Sequence, residues 1–189
     1  MEYIILVIAV AILFWAVTVY NKLVSQIEAV HNSEKEISVQ LDRRGKVFDS
    51  LIAAVNRYLS HESDVFTKVT ALRAQTLDPN ASPEVVKQAQ DELSKVVSSG
   101  SINIAVESYP ELKSDRNMMQ LQEEIVSTEN KLSFAKKAYN NAIERYNVTR
   151  NSFPNLVVAN IFADLHQDFE YWSLDEASIK TEEARRVQF

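Results

Sequence analysis

The sequence predicts an all-α fold: an N-terminal transmembrane helix continuing into the long helix of an antiparallel up-and-down helical bundle, three long helices plus a short fourth. Three observations predict it. Two glycines and four prolines among 189 residues leave little turn-forming punctuation, which favours a few long helices over a sheet. An apolar stripe of period 3.5 runs from Leu23 to Leu72, the pattern of a helix packed along its length against other helices. An uncharged apolar segment, Tyr3 to Tyr20, lies directly ahead of that stripe.

The elements follow in order. As a helix, Tyr3 to Tyr20 rises about 27 Å, close to the hydrocarbon thickness of a bilayer. Tyr3 and Tyr20 mark its ends, where interfacial aromatics belong, and Lys22 follows at once. No Lys or Arg precedes the run and no small-x-small site precedes Asn21, so an uncleaved single-pass anchor over 1–20 is expected. Lys22, Lys35, Arg43, Arg44 and Lys46 lie on the far side, and the positive-inside bias assigns the C-terminal domain to the cytoplasm.

The stripe consists of Leu23, Ile27, Val30, Glu34, Ile37, Leu41, Arg44, Phe48, Leu51, Val55, Tyr58, Glu62, Val65, Val69 and Leu72. One helix is expected to carry all of it and to stop between Gln75 and Pro79, at the turn signal 78–83. Ser82-Pro83-Glu84 resembles a cap with proline at the first helical position. A second helix is expected from Pro83 to Ser108, with a kink at Ser98-Ser99-Gly100-Ser101 and an end at Tyr109-Pro110. The third runs from Asp115 to Asn151 on the stripe Met118, Leu121, Ile125, Thr128, Leu132, Ala135, Tyr139, Ala142, Tyr146, Thr149 and Phe153. Large residues alternate there with small ones, which is core patterning. After Phe153-Pro154 a short apolar helix follows, and Phe169, Tyr171, Trp172 and Leu174 predict a docked start to the tail. The expected domains are the anchor at 1–20, a helical bundle at 21–172 with 21–47 as a stalk, and an acidic tail at 173–189.

The formal charge of -6 argues against nucleic acid as a partner. No cysteine is present, which removes disulfides, thiolate metal sites and cysteine nucleophiles. The three histidines have no metal-ligand spacing, no glycine loop could cradle phosphate, and no serine sits in a nucleophile elbow. Neither a catalytic residue, a cofactor nor a metal is therefore expected.

Two groups of residues stand out instead. Glu34, Arg44 and Glu62 interrupt the first stripe, and a buried charge needs a partner. Glu123, Glu124 and Glu129 of the third helix are candidates for Arg44, and Glu129 gives a buried polar layer of Glu34, Arg44, Glu62 and Glu129; the rival reading lets these side chains snorkel to water. The second group is Leu23, Ile27, Val30, Ile37 and Leu41. At about 1.5 Å per residue the second helix climbs roughly 39 Å and covers the first only back to Arg44–Val47. Those five residues should then lie bare in a monomer and bury against other copies, making a homo-oligomer, unless the aromatic tail around Phe169 to Leu174 folds over them or the chain bends at Gly45 into a four-helix bundle by itself.

Several runs resemble the LemA family. They include Val39-Gln40-Leu41-Asp42-Arg43-Arg44, Tyr109-Pro110-Glu111-Leu112-Lys113, Leu121-Gln122-Glu123-Glu124, Thr128-Glu129-Asn130, Tyr139-Asn140-Asn141-Ala142 and Phe153-Pro154-Asn155-Leu156-Val157-Val158-Ala159. Tyr58 to Glu62 and the terminal Val187-Gln188-Phe189 are similar too. Asp49-Ser50 departs from the family, standing where its members have Pro-Asn. The resemblance implies a bacterial, single-span inner-membrane protein with a helical bundle, and it supplies no catalytic residues.

The function expected from these features is a membrane-anchored scaffold or adaptor. It would act through helix-helix contacts with itself and a protein partner, with the lipid bilayer as its other partner. A sensory or ligand-binding bundle is the alternative, a membrane-shaping oligomer the third reading, and an enzyme the least supported.

Overall fold

The computed structural model describes residues 1–57 and 64–172. Among these residues the secondary structure is helical, without strands. In order come α1 (Glu2–Val55), α2 (Asp64–Leu77), α3 (Pro83–Ser98), α4 (Ser101–Glu107), α5 (Pro110–Lys113), α6 (Arg116–Asn151), α7 (Asn155–Ile161) and a 3-10 turn at Ala163–Leu165. The chain divides into two compact units, one of Met1–Lys35 with Ala135–Phe189 and one of Glu36–Phe134. Both α1 and α6 contribute to each.

In the first unit, α1 begins with an apolar stretch whose mean hydropathy reaches 2.6, long and apolar enough to cross a membrane. Its side chains are exposed from Tyr3 through Phe14. Burial begins at Val19 and continues through Leu23, Ile27 and Val30. The rest of this core comes from Ala135, Tyr139, Ile143 and Tyr146 on α6, Val158 and Ala159 on α7, and Leu165. Gln26 Nε2 donates to Thr149 Oγ1 at 3.0 Å, tying α1 to α6.

The second unit has a continuous apolar core. Val47, Phe48, Leu51 and Val55 of α1 meet Phe66 and Val69 of α2, Leu93 and Val96 of α3, and Ile102, Ala105 and Val106 of α4. Leu112, Met118 and Ile125 complete it. α2 and α3 pack together across a turn in which Asp78 Oδ1 accepts from the Asn80 amide. Ser82 caps α3 by accepting from the Val85 amide, with Pro83 in the first turn. This is the start anticipated from Ser82-Pro83-Glu84.

Four expectations are corrected. The first stripe does not sit on one helix: α1 ends at Val55, Asn56 and Arg57 turn, and α2 begins at Asp64. Apolar spacing is blind to a turn that preserves the register, and Val65, Val69 and Leu72 still pack on the same core. The bare stripe is also corrected. Leu23, Ile27, Val30 and Ile37 are buried within the single chain, and Leu41 is half-buried. The bookkeeping that left them uncovered assumed a first helix reaching Gln75 and allowed no cover from the second half of α6 or from α7. Third, Phe153 is not the last core position of α6 but stands 86% exposed beyond its end. Fourth, the α6 seam drifts, so Ile143 is buried while Ala142 is half-buried. A straight helix of 3.6 residues per turn slips off a 3.5 repeat in this way.

The kink placed at Ser98–Ser101 is a break between α3 and α4. Gly100 adopts φ +70°, a left-handed conformation that disfavours any residue with a Cβ. α1 continues unbroken through Gly45 and through Asp49-Ser50.

Candidate functional site

The polar layer expected on the first stripe exists around Arg44, in the second unit. Arg44 is only 4% exposed. Its Nη2 donates to the Gln90 carbonyl of α3 at 2.8 Å, its Nε lies 3.3 Å from Glu129 Oε2 on α6, and its guanidinium sits over the Phe48 ring. Arg44 Nε and Nη1 and Glu129 Oε2 nevertheless find no hydrogen-bond partner in the structure. The ion pair thus has the distance but not the geometry of a charge-assisted hydrogen bond. Burial lowers the Arg44 pKa below its usual range, while Glu129 and Asp91 act in the opposite direction.

Glu34 does not join that layer. The Glu34 side chain is 64% exposed and lies 4.0 Å from His31, so it occupies the edge of the stripe as the snorkelling alternative required. Glu62 lies outside the described residues.

Beside Arg44 a second arginine lies across α1. Arg73 of α2 donates from Nε and Nη2 to the two carboxylate oxygens of Asp49, at 2.7 and 2.9 Å. Its Nη1 reaches Thr76 Oγ1. The approach is possible because residue 45 is glycine: a Cβ there would stand 2.7 Å from Arg73 Nη2. The bond to Arg73 holds the Asp49 carboxyl below its ordinary 3.8. Arg44, Gly45, Phe48, Arg73, Thr76 and Gln90 line part of a cavity of about 190 Å³, large enough for a few waters or a small polar molecule.

The first unit holds a polar device that no spacing rule revealed. Past the 3-10 turn, residues 166–172 form an extended strap bound to α6 by side chains. Tyr146 Oη donates to the Leu165 carbonyl and accepts from the Gln167 amide at 3.0 Å. Arg150 Nη1 donates to the Gln167 carbonyl at 2.9 Å, and Tyr139 Oη to that of Glu170 at 3.2 Å. Asn140 takes both backbone groups of Trp172, its Nδ2 donating to the carbonyl and its Oδ1 accepting from the amide. Phe169 packs edge-on against both Tyr146 and His31, and Lys136 lies over the Trp172 ring. Burial, followed by the nearby Glu34 and Glu170 carboxylates, raises the Tyr139 phenol above its usual pKa. The docked start of the tail is therefore present as far as Trp172; Leu174 and the acidic stretch 173–189 lie outside the described residues. The signal available beforehand was the aromatic content of the tail, together with Tyr-Asn pairs on α6.

The expected anchor ends are placed as follows. Tyr3 is exposed, Lys22 is exposed, and Tyr20 is half-buried. Tyr20 Oη donates to Asp164 Oδ2 at 2.7 Å and its ring meets that of Phe162 edge-on at 5.0 Å.

One open groove remains in the second unit. About 900 Å³ in volume, it is lined by Val106 of α4 and Met119, Gln122, Val126 and Ser127 of α6, with Lys113, Lys131, Glu107 and Glu123 among its charged residues. Met119 and Val126, two helical turns apart, are each about half exposed, and Phe134 beyond them is more exposed still. Among the described residues no group of three or more His, Asp or Glu could hold a metal ion.

Comparison with curated proteins finds no match. A family model does match, over residues 33–189, and it is that of the LemA family.

Proposed function

The chain belongs to the LemA family, and from that premise we propose a membrane-anchored helical scaffold or adaptor that works through helix-helix contacts. The observation that carries the reading is a single helix, α1, which starts in an exposed apolar stretch and becomes part of a packed core without interruption. An exposed stretch of that length is costly in water and at home in a bilayer. Membership of the family supports the same reading and brings the expectation of a bacterial inner membrane. The positive-inside bias favours a cytoplasmic C-terminal domain. The antiparallel arrangement of the helices belongs to this reading as well, supported by the Gln26–Thr149 bond and by Glu34 near Tyr139.

For the partner-binding surface we select the groove of Met119 and Val126. Apolar centres rimmed by Lys and Glu suit the apolar face of an amphipathic helix. Another protein or a second copy supplies that helix, and no catalytic step, cofactor or nucleic acid is required. The stripe from Leu23 to Leu41 is no longer available for self-association, since it is covered within the chain. The test is a photocrosslinking residue at Met119 or Val126 of the full-length chain in membranes. Discrete adducts at these positions, absent at exposed Val148, are expected; no adducts at either position would defeat the adaptor reading. A reporter fused after Phe189 tests the cytoplasmic placement.

A second reading, a ligand-binding bundle, draws on the cavity beside Arg44 and on the two guanidinium nitrogens there that make no hydrogen bond. Small-molecule sites combine such a cavity with a few convergent polar groups. A rise in melting temperature with a small polar ligand, abolished by Arg44→Met, would favour it over the adaptor.

A further inference from the structure

From Asn151 to Ala163 the chain carries no charged residue. Within this stretch α7 is two-faced. Val158 and Ala159 point into the core, whereas Leu156, Val157 and Ile161 point out, Ile161 with 69% of its surface exposed. At 100° per residue those three fall on one arc opposite the buried pair. Phe153 just ahead and Phe162 just behind are exposed as well. Large apolar side chains thus cluster on a short element whose outward arc holds only one polar residue, Asn160.

The position of this face says what covers it. Asn155 Nδ2 donates to the Thr149 carbonyl, holding the start of α7 at the end of α6. At the other end, Phe162 packs on Tyr20 and Asp164 accepts from the Tyr20 hydroxyl. Tyr20 closes the exposed apolar stretch of α1. The outward face of α7 is therefore continuous, through the Tyr20–Phe162 contact, with the surface that the anchoring reading assigns to lipid. The flanking charges are engaged elsewhere: Arg150 with Gln167 and Asp168, and Asp164 with Tyr20.

We infer that the outward face of α7, with Phe153 and Phe162, rests in the interfacial layer of the bilayer beside the exit of α1. The chain thus makes two membrane contacts, one that crosses and one that lies on the surface. The inference rests on the anchoring part of the proposed function. The second contact is apolar, so it depends on neither anionic lipid nor low salt, unlike a polybasic surface helix. Phe and Leu are the side chains that a surface-lying helix buries at the headgroup and acyl boundary.

The natural absence of cysteine makes the test direct. Full-length chains carrying Val157→Cys or Ile161→Cys, labelled with an environment-sensitive fluorophore, are reconstituted in phosphatidylcholine vesicles with nitroxides on the headgroup or along the acyl chain. Ile8→Cys, in the apolar stretch, and Ile104→Cys, exposed on the second unit, serve as references. Probes at 157 and 161 should be quenched several-fold more by shallow nitroxides than the probe at 104. Quenching should be unchanged by salt or by added anionic lipid. If the probe at 8 is quenched by deep nitroxides while those at 157 and 161 match 104, the inference is overturned and the anchor stands. If the probe at 8 also escapes lipid nitroxides, the anchoring reading falls and takes the inference with it. Probes at 157 and 161 shielded from lipid and aqueous quenchers alike would mean a protein cover, and would overturn it too.

Discussion

In the unit Glu36–Phe134 the polar inlay is a buried charge, whereas in the other unit it is mostly hydroxyls and amides. Arg44 is enclosed by α3, α6 and its own helix, yet two of its nitrogens and one oxygen of Glu129 remain without hydrogen bonds. The strap at 166–172 is held mainly by Tyr139, Asn140 and Tyr146, whose polar atoms each meet a backbone group of the strap or its approach, with the half-buried Arg150 as its one guanidinium contact, Nε of which is likewise without a hydrogen bond. A neutral hydroxyl or amide can be satisfied by one or two backbone partners. A guanidinium has five N–H donors to place and a large desolvation cost. The first arrangement is therefore sensitive to losing a partner, and the second to losing a single hydrogen bond.

The largest effect should come from stranding Arg44. Glu129→Ala leaves that cation buried, and breaking a buried pair costs about 3–5 kcal/mol. Chemical denaturation should report a loss towards the lower end of that range, since Glu129 is partly exposed. Arg44→Met combined with Glu129→Met should recover most of it. A loss for Glu129→Ala no larger than that of a surface pair would erase the contrast between the inlays.

Next is the strap. Tyr146→Phe removes a hydroxyl that binds Leu165 and Gln167 while keeping the ring against Phe169. A cost of about 1–3 kcal/mol is expected. Amide exchange at Gln167 should accelerate markedly, while that of α3 should not. Equal acceleration in both would mean that the strap is not a local device.

Gly45→Ala should change stability by less than about 1 kcal/mol, because two effects oppose. The helix interior gains propensity worth up to about 1 kcal/mol. The new Cβ pushes Arg73 away from Asp49, whose side chain is half-exposed and whose ion pair is correspondingly weak. Loss of the bidentate contact in a structure of the variant is the sharper readout. The smallest effect concerns acid. A carboxyl whose folded pKa lies below the unfolded one adds stability that is complete above the unfolded value. That stability is lost as pH falls through the folded value. With Asp49 held below 3.8 by Arg73 and Glu92 below 4.5 by Lys95 and Lys68, stability should be level near neutrality and decline only below about pH 4. Asp49→Asn should flatten part of that decline.

Much of this architecture was legible in the residues, for identifiable reasons. Proline at 83 and 110 and the run around Gly100 are punctuation, so the start of α3, the α3–α4 break and the end of α4 ahead of Pro110 were visible. Arg44 stood out because a charge on an apolar seam is conspicuous, and Glu129 was one of three acids on the third helix that could serve it. The end of α1 at Val55 was hidden, because neither glycine nor proline marks it and the apolar spacing resumes in register at Val65. Ile143 was hidden by the slow drift of the seam. The strap was hidden for a different reason. Its contacts run from side chains to backbone, and backbone groups leave no trace in residue types.

The first unit is assembled from the two ends of the chain, Met1–Lys35 and Ala135–Phe189, and the second from the contiguous stretch between them. This sets an order of events during synthesis. Val19, Leu23, Ile27 and Val30 leave the ribosome early, while Tyr139, Ile143 and Tyr146, which complete the core of their unit, come only after Phe134. At about 5–20 residues per second, that interval lasts on the order of 5–20 s. The intervening stretch contains its own core and can form within that time. Released chains ending at Phe134 should accordingly be protease-resistant within the described part of Glu36–Phe134 and cleavable near Leu23. The part of the protein next to its apolar N-terminal stretch is made first and finished last, and the segment that finishes it carries the α7 face.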